Sequence, residues 1–376
     1  WDQASEAHES SACELRAASE VLEKAREAQD KGQSDVADFW NQGAKQHQLS
    51  AANYEKQVEA ILAYNKEENI RWKKAARANQ ASATILEDTV KALEKAGEAQ
   101  EKGQNNLADL WRQSAKQHHL SAVNCSKHAE AILAYNEEEA TRWFKVADAN
   151  GASAVGLEEA VKALEKAEEA QDKGQCDLAD LWNQSAKQHQ FLAANYNNLA
   201  EAMLANNKEE VNRWEEVAEE SACQLGEATE ALEKAKEAEE KGQNNLADLW
   251  RQCVNHHLLS EVNYSKLAEA ILAHNEEEAT RWYKVAQANE SSAVKLKETV
   301  KALEKAEEAQ EKGENDLANL WRQCANQYQL AAANYEKQVA AILVNNEEEN
   351  THWERAAEAN EIEADKLEKG AEKLMQ

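Results

Sequence analysis

Residues 111–143 read WRQSAKQHHLSAVNCSKHAEAILAYNEEEATRW, and the fold follows from this stretch. Trp111, His118, Cys125 and Ile132 fall seven residues apart, and Ala115, Ala122 and Ala129 follow the first three by four. This is a heptad stripe with large or ring-bearing residues at a and small ones at d. Beyond Asn136 a run of Glu leads to Trp143, where the stripe begins again.

Outward from this stretch, every Trp opens the same pattern, in two interleaved series. Trp1, Trp72, Trp143, Trp214, Trp282 and Trp353 form one, and Trp40, Trp111, Trp182, Trp250 and Trp321 the other. Spacing within a series is 71 residues, with a single 68 where the segment after Trp214 has lost three. Each half-unit is the size of one long helix plus a turn. A finer alternation also runs through the chain. Units at Trp40, Trp182 and Trp321 share Ala-Ala-Asn-Tyr (Asn53-Tyr54, Asn195-Tyr196, Asn334-Tyr335), whereas those at Trp111 and Trp250 share Val-Asn and Glu-Glu-Glu-Ala-Thr-Arg-Trp, suggesting duplication of a four-helix module.

Turn signals precede each Trp. Gly32, Gly103, Gly174, Gly242 and Gly313 each follow a Lys, the usual way a helix stops. Asp35, Asn106, Asp177, Asn245 and Asp316 come next and are expected to cap the following helix. In the other series Tyr64, Tyr135, Asn206, His274 and Asn345 stand at the corresponding place, each before an Asn: Asn65, Asn136, Asn207, Asn275 and Asn346. Three residues after each Asn is a Glu (Glu68, Glu139, Glu210, Glu278, Glu349), the spacing of a capping box. Turns are therefore expected near 32–34, 64–65, 103–105, 135–136, 174–176, 206–207, 242–244, 274–275, 313–315 and 345–346, within one repeat array over 1–376. A helix running straight through the Tyr/Asn/His positions stays open as an alternative, because Tyr is a poor left-handed residue.

The bulk composition agrees. No proline, 11 glycines and abundant Ala, Glu, Lys, Leu and Gln belong to long helices. Ala dominates the 42% hydrophobic fraction, so the core is thin and spread along the molecule. The fold class is all-α: tandem antiparallel long-helix hairpins with heptad Trp/Ala seams, stacked as an extended solenoid or rod. About 11 helices are expected, each roughly 45–50 Å long. Trp1 matches a position inside a helix in later units, so the chain reads as a processed form or an excerpt from a longer tract.

A net charge of −28 without a basic cluster argues against a nucleic-acid surface and against docking on anionic membranes. No apolar run approaches the ~20 residues that span a bilayer. The Trp stripe, in phase with Ala, Leu and Ile, reads as core packing rather than a ladder of exposed rings. Seven residues after each Trp stands a polar residue: His47, His118, His189, His257 and Tyr328 in one series, and His8, Asn79, Asn150, Asn289 and Asn360 in most of the other. One metal ligand per helix could assemble a site, but a half-buried hydrogen-bonding layer fixing register explains them better. His118-His119 and His256-His257 are adjacent, so the two rings of each pair do not share a helix face.

Glu349-Asn350-Thr351-His352 is the one match to the Glu-x-x-His element of a di-iron bundle, and a single copy does not make that site. No phosphate loop, HExxH, CxxC or GxSxG occurs. Cys13, Cys125, Cys176, Cys223, Cys253 and Cys324 lack pairing spacing and read as free buried thiols, leaning toward a reducing compartment. No catalytic, cofactor-binding or metal-ligating residue is assigned, no cofactor is implied, and an enzyme is not expected.

The blocks Trp-x-x-x-Ala, Ala-Asn-x-x-Ser-Ala and Lys-Gly-Gln-x-x-Leu-Ala-Asp-Leu-Trp resemble those of Ala- and Trp-rich long-helix repeat proteins of obligate intracellular bacteria. The resemblance covers the whole chain and implies the repeat fold; it brings no activity with it. A half-period near 35 suggests tetratricopeptide repeats, but their consensus Pro is absent and the heptads run unbroken through the point where such repeats turn. The sequence thus points to a structural or scaffolding protein that self-associates into a rod or filament. The competing class is a monomeric solenoid that binds a protein or peptide partner. Neither nucleic acid, membrane insertion nor a small-molecule substrate is indicated.

Overall fold

A computed structural model describes residues 2–375. Among them are eleven helices and no strand: α1 (Asp2–Asp30), α2 (Ser34–Leu62), α3 (Lys66–Glu101), α4 (Asn105–Leu133), α5 (Glu137–Asp172), α6 (Cys176–Leu204), α7 (Lys208–Glu240), α8 (Asn244–Leu272), α9 (Glu276–Glu311), α10 (Asn315–Leu343) and α11 (Glu347–Leu374). The three-residue loss after Trp214 appears as a 33-residue α7 where α3, α5 and α9 have 36.

All ten connections share one backbone. In the first, Gly32 N–H donates to Gln29 O at 3.0 Å and Gln33 N–H to Ala28 O at 2.9 Å, and Gly32 has φ +74°. This is a Schellman stop, which satisfies the last carbonyls of one helix while its final residue opens the next. The Tyr/Asn/His positions use the same pair of bonds, as in Tyr64 N–H to Ile61 O and Asn65 N–H to Ala60 O. Tyr64, Tyr135, Asn206, His274 and Asn345 accordingly sit at φ between 52° and 58°. The chain reverses at these residues, so the continuous-helix alternative is excluded.

Two expectations about helix starts part company. Asn65, Asn136, Asn207, Asn275 and Asn346 each accept the N–H of the Glu three residues on, at 3.1 to 3.3 Å. Asp35, Asn106, Asp177, Asn245 and Asp316 are not caps: each is the second residue of its helix. The residue after the glycine, as in Gln33, Gln243 and Glu314, holds the cap position without a side-chain cap bond. The six-to-one bond requires that residue as its donor, which starts the helix before the acidic residue is reached.

The helices group into two compact units, one of residues up to Val161 with Leu192–Glu215, the other of Lys162–Phe191 with residues from Glu216 onward. In the first, α1 packs on α2, α2 on α3 and α3 on α4. The pairs His8–Glu55, Glu14–His47 and Lys24–Trp40 run in opposite order on α1 and α2, so the two are antiparallel. Next-but-one helices also meet: Gln46 Nε2 on α2 donates to Ser126 Oγ on α4 at 3.1 Å. In the second unit α8 packs on α9, α9 on α10 and α10 on α11, and His256 on α8 reaches Glu336 on α10 at 3.0 Å. Odd and even helices thus form separate layers within each unit.

Between the layers the core is largely alanine. Ala75, Ala76, Ala83, Ala108, Ala247, Ala286 and Ala318 have no exposed surface. Such small seams let backbones approach, and serines bridge them directly. Ser50 Oγ donates to Ala76 O at 3.0 Å, Ser82 to Ala122 O at 2.8 Å, Ser121 to Ala147 O at 2.7 Å and Ser260 to Ala286 O at 3.0 Å.

Gly103 has φ +76° with nothing within 4 Å of an added Cβ, so Gly103→Ala meets backbone strain alone and lowers stability by about 1 kcal/mol. Tyr64→Gly removes the same kind of strain at a 93% exposed residue and raises stability by up to about 1 kcal/mol, less the entropy cost of glycine. Urea unfolding of both variants checks the opposite signs.

Candidate functional site

The Trp series differ in their surroundings. Trp40, Trp111, Trp182, Trp250 and Trp321 on even helices are buried. Burying one such ring is worth roughly 4–6 kcal/mol before entropy losses. On odd helices Trp72, Trp143, Trp282 and Trp353 are only half-buried, which corrects the expectation that every ring fills a seam. Among the described residues of that series Trp214 is the exception and is buried.

A lysine lies over almost every ring. Lys24, Lys95, Lys166, Lys234 and Lys305 hold their ammonium groups 4.0 to 4.8 Å from the ring centroids of Trp40, Trp111, Trp182, Trp250 and Trp321. Lys127, Lys266 and Lys337 do the same for Trp143, Trp282 and Trp353 at 4.2 to 4.3 Å. Each lysine precedes its Trp by 16 residues across a turn, so the pair closes the hairpin at its turn end. A cation–π contact of this kind is worth about 0.5–2 kcal/mol. The recurrence is visible in the sequence, but its meaning needs the hairpin geometry.

The polar layer is a set of inter-helix hydrogen bonds. His47 Nδ1 donates to Glu14 Oε2 at 2.8 Å, with Glu87 at 3.9 Å on the other side of the ring. His118 Nε2 donates to Glu158 Oε1 at 2.9 Å; this bond, ahead of the opposing effect of burial, holds the Glu158 carboxyl below its usual range. His257 Nδ1 donates to Gln224 Oε1 at 2.8 Å, and burial pushes its pKa down to about 4, so the ring is neutral at pH 7. Tyr328 points its hydroxyl at Asp365 and Glu368 at 3.4 Å. His189 is also buried.

In the other series Asn150 and Asn289 donate back to Val146 O and Val285 O within their own helices, and Asn79 is buried. His8 and Asn360 depart from this layer, His8 being exposed and Asn360 half-buried. His119 turns from His118 to meet Phe39 edge-on at 5.0 Å, as expected of a neighbour on another helix face. Among the described residues no three His, Cys, Asp or Glu side chains converge as a metal site would require. His352 stacks edge-on against Trp353. No described helix is long and apolar enough to cross a membrane.

Sequence reading missed one residue altogether. Glu261 stands where Ala51, Ala122, Ala193 and Ala332 stand in the other even helices, and it has no exposed surface. Ser265 Oγ donates to Oε1 at 3.2 Å, while Oε2 has no partner. Burial pushes this carboxyl up to about 8. Comparison of the repeats carries the signal: one charged residue in an alanine column.

The cysteines divide evenly. Cys125, Cys253 and Cys324 are buried, whereas Cys13, Cys176 and Cys223 are exposed, which corrects the reading of six buried thiols. Burial raises Cys125 to about 11 and Cys253 to about 12. The Cys253 and Cys324 thiols face Ala293 O and Ala364 O at 3.4 and 3.5 Å, the role serine plays at other seams.

A scan of protein-family models finds no match to the chain, and a search of curated protein sequences finds none either. The geometry itself defines the class, an all-α tandem helical-repeat protein.

Glu261→Ala restores the residue found in the other repeats and stabilises the protein. Because the folded pKa of Glu261 lies above the unfolded value of about 4.5, the ionisation part of its cost is absent below pH 4.5, grows by about 1.4 kcal/mol per pH unit and levels off above pH 8. Denaturant titrations from pH 4 to pH 8 should show the variant's advantage widening upward. Thiol labelling of the native protein should modify Cys13, Cys176 and Cys223 quickly and the other three only on unfolding.

Proposed function

We propose that the protein is a structural scaffold, a helical-repeat array that associates with further copies of itself. The observation that carries this reading is the partition of charge between helix types. The odd-numbered helices hold essentially all of the net charge of −28, and the even-numbered ones together are close to neutral. Layers of such different charge leave one face of each unit on which like chains can approach without strong repulsion. That face also carries apolar side chains at one repeat position: Leu49, Phe191, Leu259 and Leu330 are 41 to 53% exposed, and Leu120 is half-buried.

The same residues support a second reading, a monomeric adaptor that lays this face against a protein or peptide partner. Both are binding roles, and the described chemistry is spent on joining helices. Multi-angle light scattering over a hundredfold concentration range, with electron microscopy of the concentrated sample, separates the two. A scaffold gives mass that climbs with concentration and elongated polymers; an adaptor holds the mass of one chain throughout.

A further inference from the structure

Ten lysines and arginines lie on the even-numbered helices. Seven of them are engaged within the chain. Lys56 pairs with Glu59, Arg112 with Asp109 and Arg251 with Glu239 and Asp248, while Arg322 donates to Gln310. Lys127, Lys266 and Lys337 cover Trp rings. The three left over, Lys45, Lys116 and Lys187, are exposed, and no carboxylate of the described residues pairs with them. They hold one repeat position, five residues after Trp40, Trp111 and Trp182, where α8 and α10 have Asn255 and Asn326. Lys116 has even-numbered neighbours on both sides, since Gln46 bonds Ser126 and Gln117 bonds Asn197, and neither neighbour brings it a carboxylate. Four residues beyond each lysine, on the same helix face, stands Leu49, Leu120 or Phe191.

The odd-numbered helices carry the complementary row. Glu23, Glu94 and Glu165 also hold one position, nine residues before Gly32, Gly103 and Gly174, and all three are exposed without a cation partner among the described residues. Their height along the helices matches that of the lysines. In the first hairpin Glu14 meets His47 and Lys24 meets Trp40, so residues 14–24 of α1 run level with residues 40–47 of α2. Glu23 lies in the one stretch and Lys45 in the other. The two rows belong to different layers and do not pair within the chain.

We propose that the even-helix row Lys45, Lys116 and Lys187 docks on the odd-helix row Glu23, Glu94 and Glu165 of a second copy of this chain. The inference rests on the scaffold reading and gives that reading a specific contact. Charge complementarity chooses the occupant: chains of charge −28 repel one another except where unneutralised cations meet carboxylates. Copies laid side by side at one height bring the two rows together. Leu49, Leu120 and Phe191 are covered in the same contact, which adds apolar burial to the ion pairs. Row and counter-row are different surfaces, so the contact is heterologous and each bound copy presents both to the next.

Two triple variants and their mixture test this by sedimentation velocity at about 100 mM salt, where repulsion beyond about 10 Å is screened. All six positions are exposed, so the substitutions leave the fold in place, which circular dichroism checks. Lys45→Glu/Lys116→Glu/Lys187→Glu sets carboxylates against carboxylates, and Glu23→Lys/Glu94→Lys/Glu165→Lys sets lysines against lysines. Each variant alone should associate at least about tenfold more weakly than the wild type. The second is the sharper probe, because it lowers the net negative charge and would associate more strongly if net charge alone governed. Mixed together, the variants should polymerise, since every acidic row then meets a basic one. Undiminished association of either variant alone, or a mixture no larger than its parts, would overturn this contact and leave the scaffold reading standing. A wild type that remains monomeric at every concentration would overturn both.

Discussion

The close approach of helix backbones across alanine seams is the constraint from which the rest of this structure follows. Serine hydroxyls reach the carbonyl oxygens of Ala76, Ala122, Ala147, Ala193 and Ala286 on neighbouring helices at 2.7 to 3.0 Å, a distance that larger seam residues would not allow. A seam of methyl groups buries little apolar surface per residue, so the large rings carry a disproportionate share of the stabilisation. They are set near the turn ends, where the helices are joined covalently and a ring under a lysine can close the hairpin. The polar layer sits seven residues further along, where a buried histidine finds its partner on the facing helix.

This division explains why substitution is tolerated in some columns and consequential in others. The layer accepts Glu14–His47 in one hairpin and Gln224–His257 in another, because either acceptor satisfies the ring N–H. The alanine column does not adapt in this way. Glu261 enters it without a partner for one oxygen, and burial keeps its carboxyl protonated into the neutral range. The left-handed turn column is adaptable for a different reason: its backbone is fixed by main-chain bonds, so the side chain can be Gly, Tyr, Asn or His.

Much of the architecture was legible because a period of 71 residues repeats every signal. The turns lie within a residue or so of where glycine and the Tyr/Asn/His positions put them, and the Asn caps bond as their spacing implied. Errors arose where two local rules competed. Asp35 and its counterparts satisfy the composition rule for a cap, but the main-chain bond of the Schellman stop claims the cap position first. Burial was misjudged for Trp143 and Trp282 because a heptad stripe marks one helix face without revealing how much neighbour covers it.

Sequence by itself determined the helices, their ends and their order, since these depend on periodicity and on bonds between residues a few positions apart. It also determined that the acidic excess lies on the odd-numbered helices taken together, although α3 by itself is neutral. Only the tertiary structure decided which lysine covers which Trp and which carboxylate meets which histidine. Those outcomes depend on the rotation and separation of packed helices, on which a one-dimensional pattern places no constraint.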